Sequence, residues 1–252
     1  FAPQLDAPPR PDRVPVTGAF FLIFLGLFKK VVISSYLGTE LVDPVFALPG
    51  EHTSPEILLA TYGYAIQIYA DFSGYTDIAI GCALLLGFQF PQNFNNPYRA
   101  LSLQDFWRRW HMTLSRWLRD YLYVPLGGSR GSTIFTYRNL MITMVLGGLW
   151  HGAAWTFVIW GVIHGAGLVV ERLIRGGGEP SSSRWAVVAR WLVTFHIVCL
   201  AWIFFRAESM DVALDLLNGL VTSWGSAPLV TPLAVLVIAG MIAWHFLPDD
   251  VL

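Results

Sequence analysis

Two of the six histidines in this 252-residue chain stand where an imidazole is costly to keep. His151 lies in "GGLWHGAAWTFVIWG", Gly147 to Gly161, as the one ionisable side chain of that stretch. His111 lies in "LQDFWRRWHMTLSRWLRDY", residues 103–121. A neutral imidazole accepts a proton near pH 7. In a site that excludes water it activates a hydroxyl without exposing a reactive thioester to hydrolysis. Two such histidines beside a basic stretch suit oxygen acyl transfer. One takes the proton of an acceptor alcohol as the alcohol attacks a thioester carbonyl; the other orients the first or hydrogen-bonds the acceptor. For His111 a second reading stays equally open, a core histidine held by a backbone carbonyl.

Other polar groups sit in oil as well. Asp71 and Asp77 interrupt "YAIQIYADFSGYTDIAIGCALLLGFQF". A carboxylate within a bilayer must be paired, protonated or hydrated. Pairing with arginine or capping of a helix is the favoured reading, with a helix break at Ser73-Gly74 bringing the acids near an interface. The functional reading is orientation of substrate or imidazole. Trp150, Asp71, Asp77 and Arg109 are the candidate substrate contacts. His164, His196 and His245 are expected to be core histidines bonded to backbone, and His52 lies in a polar loop. No HxxxH, CxxC or HExxH spacing supports a metal site. Cys82 and Cys199 read as small core residues.

The elements that position these groups follow from composition. Hydrophobic residues make up 55% and charged residues 13%, against about 25% charged in ordinary soluble domains. The net charge of −1 gives no bulk attraction to nucleic acid. Spanning a bilayer takes about 20 apolar residues. The candidate runs are 17–37, 55–70, 74–90, 139–173, 185–206 and 229–247. The opening "FAPQLDAPPRPDRVPV" reads as a proline-rich loop, and 175–184 as a flexible Gly/Ser linker. Seven arginines and two acids between Arg99 and Arg138 mark a cytoplasmic stretch or a docking surface for an anionic donor. "PLGGSRGS" reads as a tight turn.

Residues 103–121, projected at 3.6 per turn, separate into a Trp/Leu face and an Arg face, as an in-plane interfacial helix does. His111 falls within the aromatic face. Residues 139–173 carry no charge before Glu171 and would run roughly 50 Å as one helix, against a hydrocarbon core of about 30 Å. Arginines flank both ends. The segment is therefore expected to go in and come back, breaking between Gly147 and Gly152 with His151 at the break. Gly148/Gly152 and Gly161/Gly165 have the spacing that lets helices pack closely.

The stretches "QIYADFSGYTDIAIG", "FPQNFNNPYRALSLQDFWRRWHMTLSRWLRDYLYVPLGGSR" and "LGGLWHGAAWTFVIWGVIHG" together resemble the membrane-bound O-acyltransferase family, most of all its bacterial alginate O-acetylation branch. The resemblance runs through about residues 60–170, with flanking parts matching in hydropathy. It implies an all-α polytopic bundle with an in-plane amphipathic helix and a re-entrant or broken helix. Residues 1–252 would form a single membrane domain, the C-terminal portion of a longer protein. It implies His151 of "WHG" as the catalytic histidine and His111 of "WRRWHMTLS" as a second functional residue, with a tunnel reaching the former from both sides.

The implied reaction moves an acyl group, acetyl in this branch, from a cytoplasmic donor toward an extracytoplasmic polysaccharide hydroxyl or a partner protein. No tightly bound cofactor is expected. The donor would be an acyl thioester, acetyl-CoA or an acyl carrier protein. The setting would be the bacterial inner membrane, beside an extracytoplasmic acetyltransferase or a polysaccharide synthase complex. Relatives acylating alginate, cellulose, peptidoglycan or teichoic acid share these motifs, so the acceptor stays open. From the residues alone, a multi-pass transporter using Asp71 and Asp77 and a bis-histidine haem protein are the rival classes.

Overall fold

The structure, a computed structural model, describes Gln4 and residues 14–175 and 181–247; the side chain of Arg175 is outside that set. Most of the expected N-terminal proline-rich loop and of the 175–184 linker lies outside the described residues. Among the described residues the fold is all-α, without strands. Three helices are long and apolar enough to cross a membrane, Val16–Ala47, Trp155–Ile174 and Arg184–Arg206.

Helix α1 (Val16–Ala47) runs ten residues past the expected end at 37. It widens into i→i+5 turns at Phe28–Ser34 and Gly38–Val42. Helix α2 (Ser54–Leu85) folds back antiparallel on it. Its start is a capping box, in which the Thr53 amide donates to Glu56 Oε2 at 3.0 Å. The two runs expected at 55–70 and 74–90 are thus one helix, and Ser73-Gly74 does not break it. Gly74 serves a different purpose. A Cβ there would sit 2.6 Å from the carbonyl oxygen of Gly26, and one at Gly26 2.5 Å from that of Gly74. The glycines let the two backbones touch, the packing device expected of membrane helices.

An extended stretch then leads to α3 (Leu103–Arg109) and α4 (Met112–Leu118). The single amphipathic helix expected over 103–121 is therefore two. Trp110 is extended (ψ 129°), and His111 takes a left-handed backbone (φ 41°), a conformation uncommon outside glycine. This kink replaces the continuous two-faced projection. The tight turn read in "PLGGSRGS" is present, with positive φ at Gly127, Gly128 and Gly131.

Helix α5 (Thr133–His151) and helix α6 (Trp155–Arg175) form a hairpin, with the break at Gly152–Ala154, at the C-terminal edge of the expected 147–152 region. Gly161 and Gly165 serve the close packing their spacing suggests: Gly161 faces Gly148 and Met144 of α5, and a Cβ at Gly165 would lie 2.8 Å from Met141 Sδ. A Cβ at Gly161 would meet the carbonyl oxygen of Met144 at 2.5 Å, and one at Gly148 would lie 3.5 Å from Gly161 Cα. Helix α7 (Arg184–Arg206) packs on α6 and α2, and α8 (Met210–Thr222) and α9 (Pro232–Trp244) complete the cover of α2. Hydropathy misses α8, whose apolar residues are interleaved with polar ones. The centre is aromatic: Trp160, Trp202 and Phe106 are almost fully buried. Tyr98 ties its own segment to α2 and α7, donating to Ala65 O (2.5 Å) and accepting from Trp202 Nε1 (3.2 Å), while its carbonyl accepts from Trp191 Nε1 (2.8 Å). Cys199 is in this core, but Cys82 is exposed, contrary to the sequence reading.

Gly161→Ala is expected to cost about 1–3 kcal/mol, the range for inserting a methyl into a filled interface. Gly18→Ala, where a Cβ meets nothing within 4 Å, is the control. Thermal melting in detergent should fall clearly for the first and stay level for the second.

Candidate active site

His151 is the last residue of α5, half-buried at the tip of the α5–α6 hairpin. Aromatic rings wall its imidazole. Phe205 lies at 4.9 Å between centroids (77°), Trp160 at 5.3 Å (81°) and Trp150 at 5.0 Å (77°). These contacts meet the imidazole nearly edge to face, the geometry ring quadrupoles prefer. Among the described residues no hydrogen bond engages either ring nitrogen of His151. The ring is thus held by shape while its proton-accepting atoms stay uncommitted. Trp150 is 62% exposed and packs on His151 from the outer side.

His111 is held differently. Its Nδ1 lies 3.1 Å from Asn93 Oδ1. The same oxygen accepts from the Thr113 amide (3.1 Å) and from Thr113 Oγ1 (2.9 Å). An oxygen already accepting a backbone N–H is an acceptor, so Nδ1 carries the proton and donates to it. Nε2 is left with its lone pair, the tautomer a proton acceptor needs. The backbone supports this arrangement, since the Met112 amide donates to Asn93 O and the Asn95 amide to Arg109 O, both at 2.9 Å. Phe72 of α2 meets the other side of the ring at 4.7 Å and 86°. Burial first, and then the charge of neighbouring His151, push the His111 imidazole down to about 4. Asn93 was not singled out by the sequence, where "PQNFNNPYRALS" reads only as polar punctuation.

A cavity of about 1030 Å³ opens among α3, α4, α5 and α6. Arg108, Arg116, Arg119 and Arg172 line it, with Trp107 and Glu171. Neither histidine lines it. The α5 residues that line it end with Thr143 and Met144, and His151 lies a further seven residues along α5 from Met144, roughly 10 Å at 1.5 Å per residue. Met112, beside His111, is part of its wall. The cavity thus lies, with its arginines, beside the foot of the hairpin whose tip carries His151, and unlike the tunnel the resemblance implies it does not reach that histidine.

The remaining candidates sit elsewhere. Arg109 pairs with Asp105 (2.9 Å) and is not among the cavity arginines. Asp71 and Asp77 pair with Lys30 and Lys29, each at 2.5 Å, rather than with arginine. His164 is bonded to the Trp107 side chain instead of backbone. His196 is bonded to backbone through Leu192 O (2.7 Å) as expected, and its Nε2 to the Tyr62 hydroxyl, but it is exposed and not part of the core. His245 is bonded to backbone through Met241 O as expected, and His52 faces Glu56.

Asn93→Ala removes the acceptor of two or more buried donors and is expected to cost about 1–3 kcal/mol, read as a lower melting temperature in detergent. The neutral state of His111 has its own signature. Its folded value lies below the ordinary 6.5 of histidine. Between the two values the unfolded chain binds a proton that the folded chain does not. The stability His111 contributes is complete above pH 6.5 and fades as the pH falls toward 4. Melting between those pH values should fall more steeply in the wild type than in His111→Gln.

Comparison with known proteins adds the lineage. The chain spans only 37–38% of the length of the first two relatives below, which it matches over 75–80% of its own. It is 51% identical over 188 residues to the "Probable alginate O-acetylase AlgI" of Azotobacter vinelandii. It is 45% identical over 201 residues to the "Peptidoglycan O-acetyltransferase" of Helicobacter pylori. A more distant relative, the "Teichoic acid D-alanyltransferase" of Bacillus subtilis, is 29% identical over 197 residues, which cover 74% of this chain and 50% of that protein. A family model matches residues 9–210. This chain, with its broken hairpin and two framed histidines, belongs to MBOAT, the membrane-bound O-acyltransferase family.

Proposed function

We propose that this chain carries the catalytic part of an O-acetyltransferase, with His151 as general base. The observation that carries the reading is the His151 ring, fixed by aromatic contacts with both nitrogens uncommitted, above a cavity with an arginine-lined mouth. The acceptor hydroxyl gives its proton to His151 as its oxygen bonds to the thioester carbonyl carbon. The tetrahedral adduct collapses, the C–S bond breaks, and the leaving thiolate takes the proton from the imidazolium. The products are an O-acyl ester and a free thiol, and the base is regenerated. No tightly bound cofactor is needed.

The donor is an acetyl thioester, acetyl-CoA or acetylated carrier protein, entering from the arginine side. Arg108, Arg116, Arg119 and Arg172 suit the phosphates that both donors carry. On this reading Arg109, Asp71 and Asp77 hold structure through their ion pairs, whereas Trp150 shapes the acceptor side of His151. His111, neutral and with Nε2 free to accept, hydrogen-bonds a neighbouring hydroxyl of the acceptor and orients it, because the one proton of the reacting hydroxyl goes to His151. The acceptor is an extracytoplasmic polysaccharide or a partner acetyltransferase at the bacterial inner membrane. The relatives' names, which cite alginate and peptidoglycan, support a cell-surface polymer.

His151→Ala is expected to abolish incorporation of labelled acetate into surface polymer while the protein still accumulates in the membrane. His111→Ala should reduce it severely. Undiminished labelling in His151→Ala would remove the base from the mechanism.

A further inference from the structure

His164 is fully buried on α6, one turn beyond Trp160. Its Nδ1 lies 3.3 Å from Trp107 Nε1. Indole N–H is a donor only, so Nδ1 accepts and the imidazole bears its proton on Nε2. The ring is stacked on Phe106 (6.0 Å, 9°) and packed edge-on against Trp107 (5.1 Å) and Trp160 (4.9 Å). Trp107 is a wall of the arginine-mouthed cavity, and Trp160 is the ring that meets His151 at 5.3 Å.

The neighbouring contacts run along one stripe of α6. A Cβ at Gly167 would press on Leu103, and Glu171 Oε2 accepts from the amides of Leu103 (2.8 Å) and Gln104 (3.2 Å) at the start of α3. Residues 160, 164, 167 and 171 are spaced as one helical face. Backbone capping fixes where α3 begins. The Trp107 indole itself is oriented by edge-on packing against Trp160 (5.7 Å, 77°) and Phe106 (5.8 Å, 81°) and by one hydrogen bond, to His164.

We propose that His164 is a positioning residue for thioester binding: by accepting the Trp107 indole N–H, it holds that ring as the cavity wall and keeps Trp160 seated against His151. The proposal rests on the acetyltransferase reading above. It assigns His164 no proton transfer and no contact with the reacting atoms.

The test uses membranes containing the full-length protein, with acetyl thioester supplied as acetyl-CoA or acetylated carrier protein. His164→Phe keeps a flat ring but offers no acceptor. It is expected to lower kcat/KM for the thioester about tenfold, the scale of one lost buried hydrogen bond, mainly through KM. His164→Asn places an oxygen near the position of Nδ1 and should return most of the loss. Trp107→Phe removes the donor and should raise KM similarly, and the double variant His164→Phe, Trp107→Phe should be no worse than either single one. Equal impairment of the Asn and Phe variants at wild-type melting temperature would overturn the proposal, as would multiplied losses in the double variant. If His164→Phe does not accumulate, Trp107→Phe alone decides: a raised KM supports the proposal and an unchanged KM overturns it. His151→Ala, run in parallel, reports on the parent reading, since transfer surviving there removes the base while leaving the KM comparison intact.

Discussion

Backbone touching backbone between α5 and α6 is the constraint on which the site depends. Gly148 and Gly161 leave no side chain between the two helices, and the Met144 carbonyl lies against Gly161. Any larger residue would splay the hairpin. The short break at Gly152–Ala154 would then no longer bridge it, and His151 would leave its cage of Trp160 and Phe205. In lipid there is no hydrophobic drive to bring helices together, so close van der Waals contact has to do it. The same economy recurs at Gly26 and Gly74 between α1 and α2, which sets the position of Phe72 under His111.

The two histidines are held by unlike means. His151 has rings around it and no committed nitrogen among the described residues. His111 has one nitrogen committed to Asn93 and a backbone conformation that the Asn93–Met112 and Arg109–Asn95 hydrogen bonds enforce. A left-handed non-glycine residue stores strain that surrounding contacts must override. Here a loop some twenty residues upstream supplies them. Cavity, hairpin tip and kinked segment are thus built from elements far apart along the chain.

How much of this the sequence carries depends on the range of each signal. The broken hairpin is legible, because a charge-free segment flanked by arginines and too long for one span leaves few alternatives. The half-buried, ring-walled surroundings of both histidines are legible from their apolar settings. Gly74 misleads: in sequence it looks like a helix breaker, and only the presence of Gly26 across the interface shows it to be a contact. The kink at Trp110–His111 is invisible to a 3.6-residue projection, which assumes the helix it is meant to detect. Asn93 and the His164–Trp107 bond span eighteen and fifty-seven positions, and no local pattern announces a partner at that distance.

Adjacent lysines on α1 have a mechanical consequence. Lys29 and Lys30 reach Asp77 and Asp71, which lie on opposite sides of Gly74 on α2, and Gly26 seats against that same glycine. Three unlike contacts, two ionic and one steric, meet only at one alignment of the helices. Sliding α1 by a single position would part both ion pairs, of which Lys29–Asp77 is largely buried, and drive a side chain into a carbonyl together. The pair behaves as a keyed shaft: it can tilt or bend, but it cannot ratchet.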